Sequence, residues 1–239
     1  MTYAQFSRRA RLSRRDLCRR ILEGHRDSIK TKKEPTAVKN LELIFDATLK
    51  VANAKGFQAM TMRDLSQASG LSMGALYAYF SSKEELLEMV QSTGREVTGR
   101  LLREGFEEVR DPVERLATAI RTHVFLSEAM QPWFFFSYME ARHLGKRQKE
   151  LAKQSELATE KMFADVIRAG QTQGVFNGHD PDLTAALIKA MLQDWYLKRW
   201  KYAARRLAVD AYAEMVVKMV MAFCLPVGAV ATVSGEKKR

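Results

Sequence analysis

The stretch TMRDLSQASGLSMGALYAYFSSKEEL, which begins at Thr61, concentrates side chains that bind anions. Thr61 and Ser72 bring hydroxyls to predicted helix N-termini, which attract anions because their first backbone N–H groups lack partners within the helix. Tyr77 and Tyr79 add phenolic hydroxyls, and Lys83 adds a positive charge. Hydroxyl, ammonium and backbone N–H groups are the usual donors to the phosphate oxygens of nucleic acids. The residue types therefore indicate phosphate binding.

Short helices must position these side chains. Thr61 and Asp64 have the spacing of a capping box, which predicts that a short helix begins directly after Thr61. Gly70 ends this helix, because glycine takes the left-handed conformation at little cost, and Ser72 caps a second helix. Two helices joined by about three residues, one of them glycine, form a helix-turn-helix. A third helix is predicted from Ser82, with Glu85 as its reciprocal cap.

The second of these helices contains a glycine that packing does not explain. The predicted inward positions are Leu65, Ala68, Leu71, Leu76 and Phe80. Gly74 is not among them, and a glycine inside a helix costs about 1 kcal/mol relative to alanine. A close approach by DNA explains it, because the second helix of a helix-turn-helix enters the major groove. Taken singly, Tyr77 as a core aromatic and Lys83 as a solvated lysine are ordinary alternatives.

Over about residues 40 to 90, the chain resembles the N-terminal DNA-binding domain of the TetR family of bacterial transcriptional regulators. The residues that carry the resemblance are Thr61, Leu65, Gly70-Leu71-Ser72, Gly74, Leu76-Tyr77, Phe80, Lys83 and Glu85-Leu86. The resemblance implies a homodimer of all-helical subunits that binds double-stranded DNA at a palindromic operator, usually represses, and is released by a small ligand. Carried onto this chain, the DNA contacts fall on Thr61, Ser72, Met73, Gly74, Tyr77, Tyr79 and Lys83.

This chain departs from the family pattern in two ways. Met73 and Ala75 are apolar, so the second helix offers little hydrogen bonding to base edges. A basic arm of about 39 residues also precedes the domain, with 12 Lys/Arg against 4 Asp/Glu in residues 1–39. We expect Arg63 and the arm, or the shape of the DNA, to supply the missing readout.

The arm is predicted to bind DNA phosphates or a minor groove. Residues 40–83 hold four Lys/Arg against three Asp/Glu, which is a weak charge for a module that displaces counterions from DNA. Deleting residues 1–38 should therefore flatten the salt dependence of operator binding. A disordered basic tail without specific binding is the alternative. Part of the arm is expected to be helical from Ser13, with Leu17, Ile21 and Leu22 on one side.

The pattern of apolar residues predicts an all-α fold without strands. Further helices are expected over about 41–55, 82–109, 112–130, 132–144, 146–172, 181–204 and 209–225. We expect four parts: the basic arm 1–39, a three-helix helix-turn-helix domain 40–88, a larger helical domain 89–225, and a tail 226–239. The resemblance implies that the larger domain binds the ligand and forms the dimer.

The last two long helices carry wide apolar stripes. These stripes are Tyr212, Met215, Val216, Met219, Val220 and Phe223 on the last helix, and Leu183, Leu187, Met191 and Trp195 on the one before. The core of a single subunit could use both stripes. The resemblance instead favours a four-helix dimer interface, whose two-fold symmetry requires a near-palindromic DNA site.

Aromatic residues are dense in the C-terminal half, as they are in ligand cavities, although ordinary core packing is the alternative. Basic residues follow them in the sequence and would hold an anionic group, unless they are solvated surface charges. The predicted ligand-binding residues are Trp133, Phe136, Met139, Arg142, Phe163, Trp195 and Arg199. The expected effector is an elongated apolar molecule with a negative end, such as a fatty acid or its coenzyme A thioester.

Other classes of function find no support in the sequence. The four histidines are scattered, and Cys18 and Cys224 lie at opposite ends of the chain, so we predict no catalytic, metal or cofactor site. The longest apolar run is interrupted by Pro226, so we expect no membrane span and a cytoplasmic protein. An architectural or cell-cycle factor with the same fold and no effector is the alternative function.

Overall fold

The computed structural model describes residues 1–10, 14–107, 109–141 and 144–226. Within these ranges the regular structure is helical, which confirms the predicted fold class. The helices are α1 (Tyr3–Ala10), α2 (Arg14–Gly24), α3 (Glu34–Lys55), α4 (Met62–Ser69), α5 (Met73–Leu76), α6 (Lys83–Glu107), α7 (Pro112–Ala129), α8 (Gln131–Glu140), α9 (Lys146–Thr172), α10 (Pro181–Leu197), α11 (Arg199–Ala204) and α12 (Val209–Cys224). None of these helices is both long and apolar enough to cross a membrane.

The chain divides into two compact units. The N-terminal unit comprises Ala10–Thr98 and Met130–Lys153. The C-terminal unit comprises Met1–Arg9, Gly99–Ala129 and the described residues from Gln154 to Pro226. The basic arm therefore does not form one continuous tail, because α1 belongs to the C-terminal unit and α2 to the N-terminal unit.

The N-terminal unit is built around α3, which packs against α2, α4 and α8. Leu41 and Ile44 on α3 are fully buried, as are Leu65 on α4 and Leu76 on α5. Cys18, Ile21 and Leu22 of α2 belong to the same core. The helix predicted within the arm is thus present, and its apolar side packs against the following helix.

In the C-terminal unit, α7 packs against α10 and α12. Arg121 on α7 makes two hydrogen bonds to Glu214 on α12, of 2.5 and 3.0 Å. The first helix of the chain also packs here: the buried ring of Phe6 lies 5.9 Å from that of Phe125, and the backbone N–H of Tyr3 donates to Asp210 over 2.8 Å. The first ten residues are therefore held by specific contacts.

Three predicted helix boundaries are wrong, and one of them is the end of the helix expected over 132–144, which stops at Glu140. The helix expected from about residue 41 begins at Glu34, where the proline at its start suits a first turn. The helix expected from Pro181 to about Ala204 breaks at Lys198, whose φ of −117° and ψ of 37° are not helical. The break separates α10 from α11, and the side chains of Lys198, Lys201 and Tyr202 all bind the Asp194 carboxylate.

Candidate nucleic-acid interface

Helix α4 begins with the predicted capping box. The backbone N–H of Asp64 donates to Thr61 Oγ1 over 3.1 Å, and the backbone N–H of Thr61 donates to Asp64 Oδ2 over 2.7 Å. Lys55 binds the same carboxylate oxygen at 2.5 Å. Hydrogen bonds from Lys55 and Thr61 hold the pKa of Asp64 well below its usual range. The α4 N-terminus is thus closed by a carboxylate, while Thr61 and Arg63 remain exposed.

The turn between α4 and α5 is also as expected. Gly70 takes the left-handed conformation, with φ 71° and ψ 9°. The Ser66 hydroxyl donates to the Leu71 carbonyl over 2.6 Å and ties the turn to α4. One inward position was wrong: Ala68 is exposed, and its neighbour Ser69 is buried instead. The boundary residue Ser69 turns inward because its hydroxyl accepts the Leu71 N–H over 3.3 Å.

Helix α5 presents a polar and open outer side. Ser72 caps it by accepting the N–H of Ala75 over 3.2 Å, and buried Leu76 anchors it to the core. Gly74 is exposed, and a Cβ added there would meet no atom within 4 Å. The Tyr77 side chain is 45% exposed. Ser72, Gly74 and Tyr77 therefore form an outward surface, while Met73 is partly buried against the core.

The structure contradicts one predicted phosphate contact and gives a second one internal hydrogen-bond partners. Tyr79 is 1% exposed and belongs to the core, so its hydroxyl does not face outward. Lys83 donates hydrogen bonds to the carbonyls of Phe57, Gln58 and Met60 over 3.1, 2.9 and 3.1 Å. Those carbonyls belong to the α3–α4 connection, so the half-buried ammonium ties this connection to the start of α6.

The cap of α6 also differs in detail from the prediction. The Glu85 backbone N–H donates to Ser82 Oγ over 3.1 Å, as expected. Its carboxylate, however, accepts from the backbone and hydroxyl of Ser81, over 2.6 and 2.7 Å. These two bonds lower the pKa of Glu85. The reciprocal partner is therefore one residue earlier than predicted.

Three predicted ligand-binding residues lie in the N-terminal unit. The Trp133 indole N–H donates to the Val90 carbonyl over 3.0 Å, and its ring fills the space left by Gly94, where an added Cβ would lie 1.8 Å away. Phe136 is fully buried in the core, and Met139 is 41% exposed. Core packing thus accounts for Trp133 and Phe136. Arg142 lies outside the described residues.

The other three predicted ligand residues lie in the C-terminal unit. Phe163 and Trp195 are fully buried. The Arg199 guanidinium lies 4.5 Å from the Trp195 ring and makes two hydrogen bonds of 3.1 Å to the Glu128 carboxylate. An anion-binding arginine was expected at this position, whereas the structure pairs it with an internal carboxylate. The predicted set is therefore divided between the two units.

A buried group of interacting polar side chains in the C-terminal unit was not predicted from the sequence. Lys189 is 4% exposed, and its ammonium lies 3.2 Å from His123 Nε2 and 3.3 Å from Glu156 Oε2. Burial, together with the nearby Lys189 charge, holds the pKa of His123 well below its usual value. The signal was present in the sequence, since Lys189 lies four residues after Ala185 and three before Leu192, on the buried side of α10.

Two family profiles match this chain. The profile described as "Bacterial regulatory proteins, tetR family" matches residues 44–90, and "Tetracyclin repressor-like, C-terminal domain" matches residues 109–223. The HTH-type transcriptional regulator HbdR of Aromatoleum sp. (strain CIB) is 23% identical over 180 residues, which cover 75% of this chain and 79% of HbdR. The HTH-type transcriptional repressor KstR2 of Mycobacterium tuberculosis is 29% identical over 164 residues, covering 61% and 73%.

Solved structures share the fold. The structure of the ketosteroid transcriptional regulator KstR2 of Mycobacterium tuberculosis covers 83% of this chain and 98% of its own, with a TM-score of 0.71 and 20% identity. AibR in complex with isovaleryl coenzyme A and operator DNA covers 76% and 97%, with a TM-score of 0.66 and 18% identity. The helix-turn-helix geometry and both profile matches lead to one conclusion: the chain belongs to the TetR family and is a DNA-binding transcriptional regulator, not an enzyme.

Proposed function

We propose that this protein is a repressor that binds a palindromic operator as a homodimer and leaves it when a small, largely apolar ligand binds. The observation that carries the proposal is the outward surface of α5, formed by Ser72, Gly74 and Tyr77. An open glycine flanked by hydroxyls suits a helix whose backbone approaches the major groove. The relative KstR2, itself named a repressor, supports the direction of regulation.

Within this proposal, residues 40–88 bind DNA, and residues 89–225 bind the ligand and form the dimer. Thr61, Arg63, Ser72 and Tyr77 are the side chains placed to contact DNA, since all four are exposed. Tyr79 and Lys83 support the domain from within. We also expect the protein in the cytoplasm, where its DNA lies.

An exposed apolar face supports the homodimer. Leu183 and Leu187 on α10 are 60% and 56% exposed, and Met215, Met219 and Phe223 on α12 are 58%, 55% and 48% exposed. The inner sides of the same helices are buried, so each predicted stripe is divided between the core and the surface. Contiguous exposed apolar residues mark association sites, and a two-fold interface uses the same patch on both subunits.

The proposed effector is an acyl compound with an anionic end. The fold neighbour AibR binds isovaleryl coenzyme A, which agrees with an acyl ligand that has an anionic end. Among the residues proposed for the ligand, Arg199 binds the Glu128 carboxylate through Nε and Nη2, whereas its buried Nη1 has no hydrogen-bond partner among the described residues. The competing charge makes binding dependent on a ligand that is itself strongly anionic, such as an acyl coenzyme A.

Genome-wide mapping of bound DNA, followed by titration of the purified protein against the recovered sites, tests this function. We expect a few sites, each with two related half-sites, and a weaker affinity when an acyl coenzyme A is added. Many dispersed sites, bound with an affinity that acyl compounds do not change, would instead indicate an architectural factor. Absence of any recovered motif with dyad symmetry would contradict the homodimer on a palindrome.

A further inference from the structure

The helix-turn-helix of this chain carries too little positive charge to bind DNA strongly by itself. Residues 44–90 contain four Lys/Arg and five Asp/Glu. Two of the four cations are already engaged, since Lys55 pairs with Asp64 and Lys83 binds three backbone carbonyls. Affinity for duplex DNA depends on basic groups that neutralise phosphates and release counterions. The required charge must come from elsewhere in the chain.

Basic residues are concentrated directly before α3. Residues 14–33 hold eight Lys/Arg against three Asp/Glu. This segment is folded, because Ile21 and Ile29 are 1% and 2% exposed within the core of the N-terminal unit. Arg26, Lys30, Lys32 and Lys33 are all exposed. The apolar side of the segment is thus attached to α3, while its cations face outward.

A backbone hydrogen bond places these cations beside the DNA-facing helix. The N–H of Lys30 donates to the carbonyl of Ala78 over 2.8 Å. Ala78 follows Tyr77, the exposed aromatic at the end of α5. Lys30, Lys32 and Lys33 form no ion pair with the part of the chain that the structure describes, so their charges are not neutralised by a neighbouring carboxylate. This hydrogen bond holds the Lys30 backbone at the end of α5, and Lys32 and Lys33 follow two and three residues later in the chain.

We propose that Lys30, whose backbone is hydrogen-bonded to Ala78, and the nearby Lys32 and Lys33 form a second phosphate-binding surface that contacts the DNA backbone alongside the major groove occupied by α5. This inference rests on the proposed function. Phosphates line both edges of a groove about 12 Å wide, so a segment fixed at the end of an inserted helix meets backbone rather than bases. This surface positions the protein on the duplex and increases its affinity for DNA, but it does not distinguish one base sequence from another.

The test compares the wild-type protein with the triple variant K30Q/K32Q/K33Q on a recovered operator and on an unrelated duplex. Affinities are measured at several salt concentrations. Each lost phosphate contact changes the slope of log K against log salt by about 0.9, or by about 5 for a dimer that loses six. We expect a slope flattened by about that amount and an equal loss of affinity on both duplexes, with an unchanged melting temperature.

A matched control removes three exposed arginines of the C-terminal unit, in the variant R110Q/R205Q/R206Q. We expect this control to keep the wild-type slope. A triple lysine variant whose slope stays within about 1 of the wild-type value overturns the inference, and so does a loss confined to the operator, which indicates base readout instead. Wild-type protein that binds neither duplex overturns the proposed function itself, and the inference with it.

Discussion

Tyr77 and Tyr79 are two residues apart and have opposite surroundings. Tyr77 is 45% exposed at the end of α5, whereas Tyr79 is 1% exposed in the core. From the sequence both were expected to face DNA, because the point at which α5 ends was not visible in the pattern. Tyr77 is the C-cap of α5, keeps a helical conformation and stays on the outer side, whereas Tyr79 lies two residues further on in the turn after the helix. Residue type alone therefore identified tyrosines that could bind phosphate, but it did not predict which of them faces solvent.

This pair gives a matched test of phosphate contact. We expect Tyr77→Phe to weaken operator binding about tenfold, or about 1.4 kcal/mol, because a hydrogen bond to a charged group is lost. Tyr79→Phe should leave DNA affinity unchanged, since its hydroxyl is buried and has no hydrogen-bond partner among the described residues. Both affinities are measured by titration of the same operator. Equal losses in the two variants would show that the Tyr77 hydroxyl does not reach DNA.

His123 is a titratable residue with no access to solvent. Its pKa lies well below the usual value, because burial and the Lys189 ammonium disfavour a second charge. In the unfolded chain the same histidine binds a proton near pH 6.5. Below that pH the unfolded state therefore gains a proton that the folded state does not take up, and stability falls as the pH decreases.

This difference in proton binding predicts a measurable dependence of the free energy of unfolding on pH. At constant protein concentration, between pH 6 and pH 5, His123 should reduce the free energy of unfolding by up to about 1.4 kcal/mol. His123→Gln keeps an acceptor for Lys189 and removes the titration, so its stability should fall less over this range. Denaturant unfolding at both pH values provides the comparison. Identical pH dependence in the two proteins would contradict a neutral His123 in the folded state.

At the scale of elements, short-range signals predicted most of the fold. The capping box at Thr61, the left-handed Gly70 and the cap at Ser72 all mark observed helix ends. Such signals act within a few residues, so they can be recognised in a single sequence. The break at Lys198 was not predicted. It accompanies contacts of the Asp194 carboxylate with Lys201 and Tyr202, and no short sequence motif indicates these contacts.

The division of the apolar stripes on α10 and α12 leads to a prediction about assembly. In the proposed dimer, Met219→Asp buries an unpaired charge, which costs several kcal/mol and should leave a monomer at micromolar concentration. Leu157→Asp on α9 is the control, because Leu157 is also exposed, at 61%, and lies outside this face. Sedimentation velocity distinguishes the two. A dimeric Met219→Asp protein would place the interface elsewhere.

At the scale of the whole molecule, the excess positive charge and the proposed DNA-contacting surface of α5 lie in different parts of the chain. The net charge is +11, yet the segment matched by the N-terminal family profile has one more carboxylate than it has basic residues. Composition predicted a basic arm, but only the folded structure shows that its two helices belong to different units. Long-range packing of Phe6 and Ile21 decides that division, and no local pattern encodes it.

The central claim is that α5 approaches DNA so closely that residue 74 must lack a side chain. Gly74 has helical neighbours and open space around it, so Gly74→Ala should fold and gain up to about 1 kcal/mol of stability. Gly178→Ala, at an equally open glycine of the C-terminal unit, serves as the control.

The deciding measurement is the operator affinity of Gly74→Ala and Gly74→Leu, taken with their melting temperatures. We predict melting temperatures at or above the wild-type value and affinities that fall at least tenfold, further for leucine than for alanine, while Gly178→Ala binds as the wild type does. Wild-type affinity in both Gly74 variants would contradict the account, because a helix lying against DNA at this position has no room for a leucine.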